Sequence, residues 1–245
     1  MVTNNNFEKN EKMTLPDVSL CAIVRDEKIN PAGGIERFVE SHVPFVEEAV
    51  IIDTGSLDGT REILEELQSK YKNLKVFDHK FNGFVESRNY SLSKVNTEYT
   101  LILDADELIT NKKPKNEWEK IKYSLNSNID CYRFEFENVS PSIREEFRSY
   151  WPDRLFKAKK TKFGFVGGDQ QIWENHDLEA GNFINATIRH FITDFKSFII
   201  KRENFYQNGI RSIFEDEIIH KDLAPSQIPG FAEWKEYNPK RDFYE

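Results

Sequence analysis

The sequence is short of the residues that build several familiar protein classes. It has two cysteines in 245 residues, Cys21 and Cys131, and no Cys-x-x-Cys spacing. That count argues against a disulfide-stapled domain and against a thiolate zinc site. No apolar run approaches the roughly 20 residues that cross a membrane as a helix. The first twelve residues are polar and Asn-rich, without the apolar stretch of a signal peptide, and read as a frayed tail. Cations are outnumbered, 34 Lys and Arg against 42 Asp and Glu, for a formal net charge of −8. A chain of that sign does not coat nucleic acid, because phosphate binding needs clustered cations. The one candidate cluster, Lys157, Lys159, Lys160 and Lys162, reads as a solvated loop. Repeats and low-complexity linkers are absent as well.

What the chain does have is apolar mass. Twenty Phe, nine Tyr and four Trp within a 38% hydrophobic composition exclude wholesale disorder. The length fits one large domain, or a domain with a small appendage, and is enough to bury a sizeable core. Both cysteines lie in apolar runs, so they read as buried free thiols of a reducing compartment, with a cytoplasmic location expected.

From Ser19 the pattern is regular. Short apolar runs at residues 19–24, 49–52, 74–77 and 99–103 read as buried strands. Between them, Ile35, Phe38, Val39 and Val43 have helical spacing, as do Ile63, Leu64, Leu67 and Tyr71 behind an N-cap at Asp58. Residues 86–95 read as a further helix. Strands alternating with amphipathic helices indicate βαβ units and a parallel sheet covered on both faces. After Pro114 the pattern changes. Trp118, Ile121 and Leu125 suggest a helix, and residues 131–136 alternate like a strand with one buried face. Further strands are expected at residues 154–157, 162–166 and 184–191, and helices at residues 194–206 and 210–219. The end of the chain, from Ala224, is Pro-rich and irregular. The second half therefore reads as an α+β cap on the same domain.

In an open α/β sheet, ligands lie beyond the carboxyl ends of the strands. The polar residues that end the strands are Asp26 and Glu27, then Asp53 with Thr54, Gly55 and Ser56, then Asp104, Asp106 and Glu107. So many carboxylates at one mouth repel one another, and either arginines or a cation must offset them. A divalent ion bound to oxygen, its shell completed by nucleotide phosphates, is one answer. Asp104-Ala105-Asp106 is the sharpest feature, since two carboxylates there converge on one cation and on a ribose hydroxyl. As a bare tripeptide it also fits a helix cap or a turn.

Residues 19–27 (SLCAIVRDE), 51–60 (IIDTGSLDGT), 86–92 (ESRNYSL) and 99–107 (YTLILDADE) resemble the successive motifs of family 2 glycosyltransferases with the GT-A fold. The likeness is to small bacterial enzymes related to lipopolysaccharide core glycosyltransferases. It is carried by residues 17–110, and continues more weakly at residues 153–157 (DRLFK) and 167–174. The resemblance implies an α/β fold of GT-A type: an open mixed sheet, a nucleotide-binding N-terminal half with helices on both faces, and an α+β C-terminal cap. On that basis residues 1–16 are a flexible tail, 17–223 a single domain (17–110 for the nucleotide sugar, 111–223 for the acceptor) and 224–245 an irregular tail. It further implies inverting transfer of a sugar from a nucleotide-diphosphate donor, a UDP-sugar, to a glycan or lipid-linked sugar, with Mn2+ or Mg2+ as cofactor. Peripheral contact with a membrane surface is compatible with such an acceptor.

Carried over by position, the resemblance implies that Asp53 holds the base, Arg88 lies against base or phosphate, Asp104 reaches the ribose or the metal, and Asp106 binds the metal. Each has a plainer alternative. Asp53 caps the turn at Thr54-Gly55, Arg88 pairs with a structural carboxylate, and Glu27, a further nucleotide-site candidate, is a solvated helix-start residue. His190 is a candidate metal ligand, with a buried structural histidine as its alternative. Relatives often carry Val-His-Glu after the second-half glycine; here Gly168 is followed by Asp169, Gln170 and Gln171. An inverting enzyme needs a carboxylate base for the acceptor hydroxyl. Asp169 is the first candidate, with Glu174 and Asp153 behind it.

Two other functions compete. A sugar-phosphate nucleotidyltransferase uses a similar sheet but shows a Gly-rich basic loop after the first strand, where this chain has Arg25, Asp26 and Glu27. A non-catalytic nucleotide-sugar-binding protein would have lost its base.

Overall fold

The computed structural model describes residues 13–30, 32–109, 114–139, 147–150, 152–165, 171–173 and 181–191. The elements run β1 (Leu15–Val24), α1 (Gly34–His42), β2 (Val46–Asp53), α2 (Thr60–Lys70), β3 (Leu74–Asp78), α3 (Phe84–Leu92), β4 (Tyr99–Ile102), β5 (Glu107–Leu108) and α4 (Pro114–Ser124). They continue with β6 (Cys131–Val139), β7 (Phe147–Tyr150), β8 (Asp153–Lys157), β9 (Phe163–Phe165), β10 (Gln171–Trp173) and β11 (Asn182–Phe191).

The main sheet has the order β3-β2-β1-β4-β8-β6-β11-β5, with β7 attached to β6. Its first four strands are parallel, as the apolar runs separated by helices require. At β8 the direction reverses. β8 is antiparallel to both β4 and β6, and β11 returns parallel to β6. β9 and β10 form a separate antiparallel pair. The sheet is therefore mixed: parallel in the N-terminal half and largely antiparallel beyond it.

Period-two alternation sends β1 side chains to two cores. Leu20, Ala22 and Val24 pack with Ile35, Phe38, Leu64, Trp118 and Ile121 on the α1, α2 and α4 face. Cys21 packs with Val50, Ile52, Val85, Phe156 and Phe163 on the α3 face. Both cysteines are free and buried. β1 starts at Leu15, inside the segment expected to be tail, because Leu15 and Val18 are fully buried. A register shift between Leu15 and Ser19 accommodates Asp17, which has φ 55 and donates its N–H to Glu47.

Among the described residues no helix is long and apolar enough to cross a membrane. The expected helices over residues 194–206 and 210–219, and both terminal tails, lie wholly or mostly outside the described residues.

Candidate active site

Ends of the parallel strands open onto a cleft of about 510 Å³. Arg25 lines it after β1, Asp53, Thr54, Gly55 and Leu57 after β2, and residues 78–81 after β3. Asp53 closes β2, in register with Val24 on one side and Asp78 on the other. Its Oδ1 accepts the N–H groups of Gly55 and Ser56, both at 2.8 Å. Gly55 has φ 106, a conformation that suits glycine, so the turn folds tightly under the carboxylate. Asp53 Oδ2 is buried and has no hydrogen-bond partner among the described residues. One oxygen caps the turn, as the plainer alternative expected, and the other is left uncommitted in the cleft wall.

The β1–α1 loop is stitched to the β2–α2 loop. Asp26, at φ 54 and 2% exposed, accepts the Leu57 N–H at 2.7 Å and donates its own N–H to the Ser56 hydroxyl at 3.0 Å. Asp58, the expected N-cap, lies one residue short of that position: the cap is Gly59, with φ 99, and Asp58 Oδ1 instead takes the Thr60 N–H at 2.9 Å. Glu27 is buried, not a solvated helix-start residue. Its N–H donates to the Thr60 hydroxyl at 2.8 Å, and its carboxylate accepts Asn30 Nδ2 at 3.0 Å. The same Asn30 nitrogen reaches the Ala105 carbonyl at 3.0 Å, which ties Glu27 to the Asp104–Asp106 segment.

That segment is a closed turn. The Glu107 N–H donates to the Asp104 carbonyl at 2.9 Å, while Glu107 Oε2 accepts the Asp104 N–H at 3.0 Å. The reciprocal pair resembles a capping box, in which a Glu three residues on reaches back to the first N–H. Beyond the turn, the Ile109 N–H donates to His42 Nε2 at 3.0 Å. His42 Nδ1 therefore carries the proton and donates to the Phe38 carbonyl at 2.6 Å. Full burial lowers the His42 pKa to about 4, against a smaller opposing effect of the Phe38 carbonyl.

Arginines offset the crowded carboxylates. Arg88 Nη2, on α3, bonds Asp104 Oδ1, and Arg154 Nη2, on β8, bonds Glu107 Oε1. Arg88 thus pairs with the first acid of the Asp-x-Asp motif, and its Nη1 is buried without a hydrogen-bond partner among the described residues. Partial desolvation pushes the Asp104 carboxyl up, but Arg88 and Arg154 outweigh it and hold the group below the usual carboxylate range. Glu107 is 1% exposed. There burial, with Asp104 and Asp106 nearby, pulls the carboxyl upward, while the Arg154 guanidinium in direct contact opposes it and favours the carboxylate.

β11 delivers His190 to the same turn. It pairs antiparallel with β5, placing His190 opposite Glu107, and the Phe191 N–H donates to the Asp106 carbonyl at 2.9 Å. His190 Nε2 lies 4.0 Å from Asp106 Oδ2 and is a third exposed rather than buried. That separation is too long for a hydrogen bond. A carboxylate oxygen and an imidazole nitrogen are both donors that divalent cations take, so Asp106 and His190 would be the residues to hold one. Among the described residues no three His, Cys, Asp or Glu side chains form a ready-made metal cage. The residues present fit a cation that draws its remaining ligands from outside the protein.

Asp169 and Glu174 lie outside the described residues. Asp153 opens β8 with Oδ1 3.5 Å from Arg133 Nε. In the lysine cluster, Lys157 and Lys160 both pair with Asp130, at 2.9 and 2.5 Å. Sequence reasoning missed residues 78–81, although the strand-end rule applied to β3 points to them. It also missed Arg154 and His42 as partners of the acidic turn. No local pattern marks these, because their contacts bridge 47 and 67 residues.

The sequence model of glycosyl transferase family 2 matches residues 30–184, and the chain belongs to that family. A cholesterol galactosyltransferase of Borreliella burgdorferi is 34% identical over 172 residues, 69% of this chain and 44% of that protein. An uncharacterized glycosyltransferase of Haemophilus influenzae is 37% identical over 67 residues, 27% of each chain. The chain thus spans less than half the length of these curated relatives. Among solved structures, a mannosyltransferase of Pyrobaculum calidifontis in complex with GDP-Man and Mn2+ aligns over 89% of this chain and 69% of its own. The TM-score is 0.51 at 14% identity, a likeness of fold. The chain is a member of glycosyl transferase family 2 built on a GT-A-like mixed sheet.

Proposed function

We propose that the protein is a metal-dependent, inverting glycosyltransferase that moves a sugar from a UDP-sugar to a hydroxyl on a glycan or lipid-linked sugar. The observation that carries the donor reading is Asp53 Oδ2, a buried acceptor without a hydrogen-bond partner in the wall of the cleft. An acceptor so placed is costly until a donor reaches it, and an N–H on a nucleobase edge supplies one. Arg88 stands beside Asp104 with an unused guanidinium nitrogen, suited to a ribose or phosphate oxygen. Glu27 backs the acidic turn through Asn30.

Asp106, with His190 opposite, would hold a Mn2+ or Mg2+ ion. Bound there, the ion neutralises the diphosphate leaving group. Asp169 is proposed as the base. It takes the proton of the acceptor hydroxyl, the freed oxygen bonds the anomeric carbon from the far side, and the bond from that carbon to the diphosphate oxygen breaks with inversion. Two buried free thiols suit a reducing, cytoplasmic setting.

The test is a panel of nucleoside diphosphates and their sugars, read by thermal shift with and without Mn2+. Mass action raises the melting temperature only for ligands that bind the folded state. UDP and one UDP-sugar should stabilise in a Mn2+-dependent way. Stabilisation by GDP but not UDP would overturn the uridine assignment, and no response to any nucleotide would overturn the donor reading.

A further inference from the structure

The acidic turn is fixed by Asn30 at the Ala105 carbonyl, by Phe191 at the Asp106 carbonyl and by His42 just beyond it. All of these are bonds between neutral partners. Two further fastenings are ionic: Arg88 on Asp104, within the first half, and one that crosses between the two halves of the sheet. Arg154 on β8 grips one oxygen of Glu107, whose other oxygen holds the Asp104 N–H. Glu107 is 1% exposed, and the Arg154 side chain is 13% exposed with its guanidinium 5.5 Å from the Phe136 ring centroid. Neither side chain is a rim group. Glu107 faces the backbone of the turn, not its mouth, so its carboxylate is engaged before any ligand arrives.

We propose that Glu107 and Arg154 are positioning residues. Arg154 holds Glu107, Glu107 holds the Asp104 backbone, and the turn so fixed presents Asp106 to a divalent cation that arrives with a nucleoside diphosphate. The proposal rests on the metal-dependent reading above. It adds that competence of the donor site depends on a cation supplied by the other half of the sheet. Arg154 does not touch the nucleotide in this account, so its loss separates metal coupling from nucleotide recognition.

The experiment is calorimetric titration of the full chain with UDP, with and without Mn2+. The readout is the ratio of the two dissociation constants within each variant, so a reduced folded fraction cancels. Arg154→Met keeps the apolar stem and removes the charge. It should cut the Mn2+ enhancement by about 10- to 100-fold, the scale for losing a group that orients a metal ligand, and leave metal-free UDP binding within about twofold. Glu107→Gln should act in the same direction, and Arg154→Lys should restore part of the enhancement. Asp53→Ala gives the contrast, weakening UDP equally in both buffers. If Arg154→Met and Glu107→Gln keep the wild-type ratio, the positioning role is overturned while the metal reading stands. If Arg154→Met does not fold, Glu107→Gln and Arg154→Lys decide by the same ratio. If the wild-type protein binds UDP with no Mn2+ enhancement, the metal reading fails and takes this proposal with it.

Discussion

In the first half of the sheet, β3, β2, β1 and β4 run parallel, and its acids follow directly from strand ends: Asp53 after β2, Asp104 and Asp106 after β4. In the second half, the side chains that reach the acidic turn lie within strands: Arg154 in β8, on Glu107, and His190 in β11, beside Asp106. The first half thus supplies carboxylates on local turns, and the second supplies a guanidinium and an imidazole from far along the chain. Carboxylates gathered at one mouth destabilise one another. Here the site comes together only when two differently built regions share one sheet.

The strongest way to sharpen that contrast is Asp106→Ala. It should cut transfer by roughly 10³-fold, since it removes the acid that faces His190, while circular dichroism stays that of the wild type. Wild-type turnover by this variant in metal-free buffer would end the metal assignment. The next effect is on stability, and belongs to the first half alone. The folded pKa of His42 is about 4, below its usual 6.5. Between these values the unfolded chain binds the proton and the folded chain does not. Stability is full above pH 6.5, falls as pH drops toward 4 and levels off below, a loss of about 3 kcal/mol from this group. Urea midpoints measured across that window should show the slope, and His42→Gln should flatten it.

Asp169→Asn tests whether the second half also supplies the base. Transfer should drop by about 10²-fold with UDP binding nearly intact. If Asp169→Asn transfers normally and Glu174→Gln or Asp153→Asn does not, the base is a different carboxylate. Asp53→Ala has the smallest expected effect, a UDP affinity about tenfold weaker, the scale of one hydrogen bond to a charged group. An unchanged dissociation constant by calorimetry would remove Asp53 from the nucleotide site.

Legibility follows the same divide. A parallel strand buried on both faces writes itself as a continuous apolar run, so β1 to β4 could be read from the sequence within a few residues of their ends. Asp53 and Asp104 stand out in the sequence because the polar residues of an open sheet's ligand side gather at those ends. β5 is two residues long and carries no periodicity at all. The Arg88–Asp104 pair spans 16 residues and depends on where a helix docks. The neighbours of Asp106 and Glu107 depend on the order β8-β6-β11-β5, which no local pattern encodes. The solvated alternative for Glu27 stayed open because nothing in SLCAIVRDE announces the Asn30 and Thr60 contacts that bury it.

The two buried thiols have a practical consequence. Cys21 lies in β1 and Cys131 in β6, one in each half, and neither is more than 4% exposed. Burial drives both pKa values up, Cys21 to about 11 and Cys131 further, so little thiolate exists at neutral pH in the native state. Neither sulfur reacts with an alkylating reagent until its own strand opens. The chain therefore carries two native reporters, and the order in which they become modified under mild denaturant records which half of the sheet breathes first.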